Sequence, residues 1–366
     1  MHMPLKFLSL PAWVIILLAI SSCTKDKFEL TNDIGSVTMY KEQEIAPGIV
    51  YGSVYYSGSF NAFTDLAYFN KQWVVIFREG TDHLGATPGR IKTLVSNDGK
   101  MWRVEKVWQQ DSVDLRDPKL MVDPDKEHLY ATFFGRSQKK SQSRILKNYY
   151  VNYTTSAAAD SIGEIEEEWP GRNEYVLWRW TAWKGSAYSI AYRISTYQDS
   201  TTNLCLMQAA SGFKKLNLIK QLNLKWQPTE TTIRFDENDK MYVTIRADAS
   251  SFYIGTATPP YNEFKWLSNN GLPRLASPNF IFYKPYMLIT GRDLTDNKFR
   301  LFAYNLTTEK IEKDITFPGG FEVGYGGMEY NPAKKNEVWI SYYSIEHGGH
   351  GSNIYLIKMD IEKFFK

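Results

Sequence analysis

Apolar residues cluster along this chain in short paired runs, and the pairs recur. Each pair is a strand, a tight polar turn and a second strand. They run from Asn61 to Phe69 with Trp73 to Arg78, from Arg116 to Val122 with Leu129 to Arg136, and from Trp178 to Trp183 with Ala187 to Arg193. Three more follow, from Glu230 to Phe235 with Met241 to Arg246, Ser277 to Tyr283 with Met287 to Arg292, and Tyr325 to Tyr330 with Val338 to Tyr343. A repeat of roughly 50–60 residues built on strand pairs is the period of four-stranded propeller blades. The pattern predicts an all-β fold, a six-bladed β-propeller. Segments between the pairs, Ile91 to Val95 with Trp102 to Val107 and Leu204 to Ala209 with Phe213 to Ile219, are expected as outer hairpins. Ser36 to Glu42 is expected to close the ring by pairing with Asn353 to Met359, which removes exposed edges. The acidic stretch from Gly163 to Trp169 is expected as a loop.

In a propeller the start of each innermost strand and the end of the second strand share one face. The starts carry Asp65, Asp117, Arg179, Glu230, Asn279 and Tyr325, and the ends carry Arg78 with Glu79, Arg136, Arg193, Arg246 and Arg292. Strand ends are commonly solvated, and arginine is frequent there. Five guanidinium groups around one funnel nevertheless repel one another unless carboxylates or an anionic ligand compensate. The rim therefore reads as a site for an oxyanion or a sugar.

The N-terminus has Lys6, an apolar run from Ala12 to Ile20 and then Ile20-Ser21-Ser22-Cys23. Such a run is a secretory signal, short for a membrane span. Cys23 after small residues resembles the lipobox of bacterial lipoproteins, which implies lipidation at Cys23 and attachment to the cell envelope, expected at the outer membrane. The expected organisation is a signal peptide over 1–22, a polar tether over 23–35 and a single propeller over 36–366. The other cysteine, Cys205, lies in an apolar strand, so no intramolecular disulfide is expected, and the five histidines form no metal-ligand cluster. No metal or cofactor is expected. A net charge of +3 without a basic block gives no nucleic-acid patch. The expected partners are a glycan and, through the lipid, a membrane, with the protein a monomer.

Ser96-Asn97-Asp98-Gly99-Lys100-Met101-Trp102 resembles the Asp-box, or BNR repeat, of sialidases, in which Asp and Gly fold a hairpin and Trp packs into the blade. Degenerate counterparts are found at Ala210 to Phe213 and Thr256 to Trp266. Together with Phe77-Arg78-Glu79-Gly80, Leu115-Arg116-Asp117-Pro118 and Trp178-Arg179-Trp180, this makes residues 50 to 360 similar to the sialidase superfamily, and in particular to exo-alpha-sialidase-like lipoproteins. The resemblance implies a tyrosine nucleophile with a glutamate base, an aspartate acid and three arginines on the substrate carboxylate. Glu230 followed by Arg246, and Arg292 followed by Tyr325, match in order. The first arginine of that pattern is missing, since Phe63-Thr64-Asp65 stands in its place, unless Arg78 or Arg179 substitutes. Glu79, Asp82 and Asp117 are the candidates for the acid, and His83, Arg116 and Asn279 join the candidate substrate ligands. Three functions stay open: a sialidase-like hydrolase of a terminal acidic sugar, a two-carboxylate glycosidase on a neutral or uronic sugar, and a non-catalytic glycan binder.

Overall fold

The computed structural model describes residues 33–366, apart from 84–87, 124–126, 138–145, 154–161, 166–173, 195–202, 211–212, 214, 269–270, 347–348 and 350. Cys23 and the expected signal peptide lie outside the described residues. Six antiparallel sheets follow one another along the chain and form the blades of a six-bladed β-propeller. The innermost strands are Phe60–Phe69, Val113–Val122, the pair of short strands Tyr175–Leu177 and Thr181–Trp183, Pro228–Phe235, Leu275–Tyr283 and Glu322–Tyr330. Second strands such as Gln72–Gly80 are buried nearly throughout, because neighbouring blades cover both faces of their sheet. That is why Val74 to Phe77 is a continuous apolar run. The outermost strand of the fifth blade, Lys310–Thr316, alternates between exposed and half-covered positions instead.

The closing strand differs from the expectation. Ile49–Tyr55, not Ser36 to Glu42, pairs with Asn353–Asp360 and completes the sixth blade. Val37–Met39 lies on the outer edge of the first blade against Met101–Arg103. Ser36 to Glu42 brings Tyr40 to the core and leaves Val37 and Met39 exposed, whereas Ile49–Tyr55 brings Ile49, Val54 and Tyr55. The fourth strand of the third blade is Leu216–Asn223, beginning later than Phe213, and Gly163–Glu164 is a short outer strand rather than loop.

The Ser96 to Trp102 segment turns between two strands as its side chains demand. Asp98 Oδ1 accepts from the amides of Lys100 at 2.8 Å and Met101 at 3.1 Å, Ser96 Oγ accepts from Gly99 N at 2.8 Å, and Trp102 is fully buried. Gly99 has φ +68°, and a Cβ there would stand 2.0 Å from the Trp339 ring, so only glycine fits.

One irregularity positions the site. Five innermost strands carry a β-bulge at the same depth, between Ala62 and Asp65, Arg116 and Lys119, Pro228 and Thr231, Ala276 and Asn279, and Gly324 and Gly327. The third is interrupted there, between Leu177 and Thr181. The bulged residues Phe63, Asp117, Ser277 and Tyr325 all have positive φ, at 63°, 49°, 52° and 54°. Bulges re-aim side chains, and here they gather around one axis.

Candidate functional site

Tyr325 Oη donates to Glu230 Oε1 at 2.6 Å, and Arg246 Nη1 donates to the same oxygen at 3.0 Å. The other carboxylate oxygen accepts from Ser277 N at 2.7 Å, so the bulge of the fifth blade orients the glutamate of the fourth. Burial by itself would raise the pKa of Glu230. Arg246 and the hydrogen bonds from Tyr325, Arg246 and Ser277 outweigh it and hold the carboxyl below its ordinary value. Burial, with the negative charges of Glu230 and Asp117, pushes the Tyr325 phenol well above its own. The pair is therefore a neutral phenol donating to an ionised carboxylate. Thr64 Oγ1 fixes the Tyr325 carbonyl at 2.6 Å, and Gly327 admits the first blade closely, since a Cβ there would lie 2.3 Å from Leu66 N.

Asp117 stands on the same axis. Its Oδ2 is 3.8 Å from Arg116 Nε, while its buried Oδ1 has no hydrogen-bond partner among the described residues. Burial raises its pKa, opposed by Arg116 and Lys119 and reinforced by Glu230. A raised pKa is the direction that a general acid requires. Arg116 spans this corner, with its guanidinium 5.2 Å from the centre of the Phe63 ring and Nη1 donating to Asp114 at 2.9 Å. Arg292 is half-buried, has no acidic partner among the described residues, and lies close enough to Tyr343 to oppose the rise in that phenol's pKa.

The remaining candidates are placed elsewhere. Arg78 is fully buried and ion-paired to Asp114 at 2.8 Å, and its Nη1 donates to the Asp82 carbonyl at 3.0 Å. Glu79 is enclosed by Arg90 at 2.7 Å, Lys92 at 3.0 Å and Ser57 at 2.8 Å. Asp82 is exposed. His83 pairs with Glu322 at 2.5 Å and packs its ring 5.2 Å from Phe63, at the edge of the site. Arg179 binds both oxygens of Asp65 at 2.6 Å, deep on the axis. Asn279 is spent on the Gly326 carbonyl at 2.8 Å and the Phe280 amide at 2.9 Å. The structure thus brings together Tyr325, Glu230, Arg246, Asp117, Arg116 and Arg292, places Arg78 behind Arg116 through their shared Asp114, and leaves Glu79 in a buried cluster with Arg90 and Lys92.

The five second-strand arginines are not equivalent positions. Arg246 lies opposite its bulge, Arg78 and Arg292 pair one residue beyond theirs, and Arg136 and Arg193 lie three beyond. Three residues beyond lies farther out along the strand, and there Arg193 pairs with Glu174 at 2.7 Å and Arg136 is exposed. The sequence reading missed Phe63, Lys119, Trp178, Tyr192 and Tyr343 as members of the site. Phe63, Trp178 and Tyr343 lie 4.8, 6.2 and 6.2 Å from Tyr325, ring centre to ring centre. Their signal was present as aromatic residues at the same bulge and strand-end positions as the charged ones.

No protein-family model matches the chain, and no curated protein sequence is significantly similar. Solved structures share the fold at low identity. A Dyadobacter fermentans protein of unknown function superposes with a TM-score of 0.72 at 15% identity, over 86% of this chain and 100% of that one. Trypanosoma rangeli sialidase gives 0.63 at 12% identity, over 90% of this chain and 60% of that one. The same sialidase has been solved with 2,3-difluorosialic acid as a covalent intermediate. Penicillium chrysogenum alpha-L-arabinanase bound to arabinobiose gives 0.60 at 12% identity, over 83% and 94% of the two chains. This chain spans about 60% of the length of the sialidase. What is shared is the propeller.

Proposed function

We propose that the protein is a glycoside hydrolase that removes a terminal, acidic sugar through a tyrosine nucleophile. The observation that carries this reading is the 2.6 Å hydrogen bond from Tyr325 Oη to a Glu230 carboxylate that Arg246 keeps ionised. A phenol bonded to a carboxylate base is poorly explained by binding alone. In the proposed first step Tyr325 Oη forms a bond to the anomeric carbon while its proton passes to Glu230, and the glycosidic C–O bond breaks as Asp117 gives its proton to the leaving oxygen. Water, deprotonated by Asp117, then displaces the tyrosine oxygen, and Glu230 returns the proton to it. A neutral nucleophile suits a substrate that carries its own carboxylate, which would repel an anionic one. Arg292 and Arg116, with Arg246 beside them, supply the positive charge for that group.

One observation favours a second reading. Phe63 occupies the bulge where the sialidase pattern has its first arginine, so one wall of the pocket is apolar and suits a neutral or uronic sugar, with Asp117 and Glu230 as the two carboxylates. A panel of aryl glycosides separates the two. Turnover of the sialoside supports the tyrosine mechanism on an acidic sugar, and turnover confined to neutral or uronic glycosides supports the second. We also propose export and lipid attachment through Cys23, on the sequence Ile20-Ser21-Ser22-Cys23. Fatty-acid labelling that persists in Cys23→Ser would refute it.

A further inference from the structure

Lys119 lies two residues beyond Asp117 on the innermost strand of the second blade, and its side chain is almost wholly buried. A lysine on a strand ordinarily extends its amine to water. This one turns back. Nζ donates to the carbonyls of Pro118 at 3.0 Å and Asp117 at 3.3 Å, the two residues of its own bulge. The same nitrogen stands 4.5 Å from the centre of the Trp178 ring and 5.6 Å from that of Tyr325. Two neutral carbonyls and two ring faces are modest compensation for an ammonium removed from water, and an apolar side chain of similar length would fill the space without that cost. The charge is best explained by what stands around it.

The geometry points to Lys119 as a positioning residue that clasps the Asp117 bulge and sets a positive charge beneath the Tyr325 ring. This rests on Tyr325 being the nucleophile. The clasp fixes the backbone from which the acid projects. The charge favours electron density arriving on the phenol oxygen as its proton passes to Glu230. The groups that face the amine are Asp117 on its own strand, Asp65 from the first blade, Arg179 from the third, Glu230 from the fourth and Tyr325 from the sixth. Burial, resisted by Asp117 and deepened by Arg179, brings the amine down to about 8. The cation is present below that pH and lost above it, so the rate should fall as pH rises through this range.

The test measures kcat and KM from neutral to alkaline pH on an aryl sialoside for the parent, Lys119→Met, Lys119→Arg and Tyr325→Phe. It is joined by lysine carbon-13 NMR of the free protein, which needs no turnover. We expect Lys119→Met to lose about 10- to 100-fold in kcat with KM nearly unchanged, and to lose the part of the alkaline fall that lies near pH 8 and belongs to the amine, while the fall set by Asp117 stays. Lys119→Arg, which stays charged, should carry activity to higher pH. The NMR signal absent from Lys119→Met should titrate below the other lysines and move in Tyr325→Phe. Parent-like kcat and alkaline limb in folded Lys119→Met, with Tyr325→Phe inactive, would overturn the inference alone. Activity in Tyr325→Phe would instead remove the nucleophile reading. A Lys119 signal that titrates with the exposed lysines and ignores Tyr325→Phe overturns the inference whether or not any glycoside is cleaved.

Discussion

Asp114 joins Arg78 to Arg116: one carboxylate oxygen accepts from Arg78 Nε at 2.9 Å and the other from Arg116 Nη1 at 2.9 Å. A fully buried arginine outside the pocket thereby holds in place the carboxylate that aims a pocket arginine over Phe63. Gly80 and Gly89 leave the space for the Arg78 guanidinium, since a Cβ on either would stand within 2.6 Å of it.

Arg78→Met should therefore act on stability first. It leaves buried Asp114 with half its counter-charge, which typically costs about 3–5 kcal/mol, and it releases Arg116. Chemical denaturation should show the loss, with weaker binding of the acidic glycoside as a secondary effect. A midpoint equal to the parent's would contradict this account of the network.

Asp117→Asn should separate stability from activity. Because the folded-state pKa of Asp117 is raised, the unfolded chain gives up this proton at lower pH. Above the unfolded pKa the ionisable carboxyl therefore opposes folding. The amide cannot ionise, so the variant should be at least as stable as the parent at neutral pH. Its kcat should fall strongly for poor leaving groups and little for activated aryl ones. In the parent, the acid is lost as pH rises through the elevated pKa. Equal losses for good and poor leaving groups would remove Asp117 from the acid role.

Arg292→Ala should weaken binding without weakening the fold. Having no acidic partner among the described residues, Arg292 leaves no orphaned charge behind. KM for an acidic glycoside should rise about 10-fold or more, the loss of one charge-assisted contact, and the melting temperature should hardly move. An unchanged KM would show that the anionic group binds elsewhere.

The ring was legible because its signal is local. Each innermost and second strand is a short apolar run around a tight turn, and burial on both faces makes Val74 to Phe77 or Leu288 to Ile289 plain to read. Closure was not, because Ser36 to Glu42 and Ile49–Tyr55 are both short strand-like segments and only a pairing some 300 residues away chooses between them. Tyr325 and Glu230 could be named since residue type and order mark them. Arg78 and Glu79 were grouped with them because strand position does not reveal which side chain meets a buried counter-charge: Arg78 and Arg292 stand at the same offset from their bulges, and Arg78 has Asp114 beside it. A bulge inverts the alternation beyond it, and for that reason Lys119 reads as an ordinary strand lysine until the Asp117 bulge is seen.

The central claim is that Tyr325 and Glu230 act as one nucleophilic unit. It is tested most directly by kcat/KM for Tyr325→Phe, Glu230→Gln and the double variant, on whichever aryl glycoside the parent cleaves. Each single change should abolish turnover while the protein stays folded, and the double variant should be little worse than either, because residues that act together are strongly non-additive. Near-parental activity in Tyr325→Phe, or losses that multiply in the double variant, would contradict it.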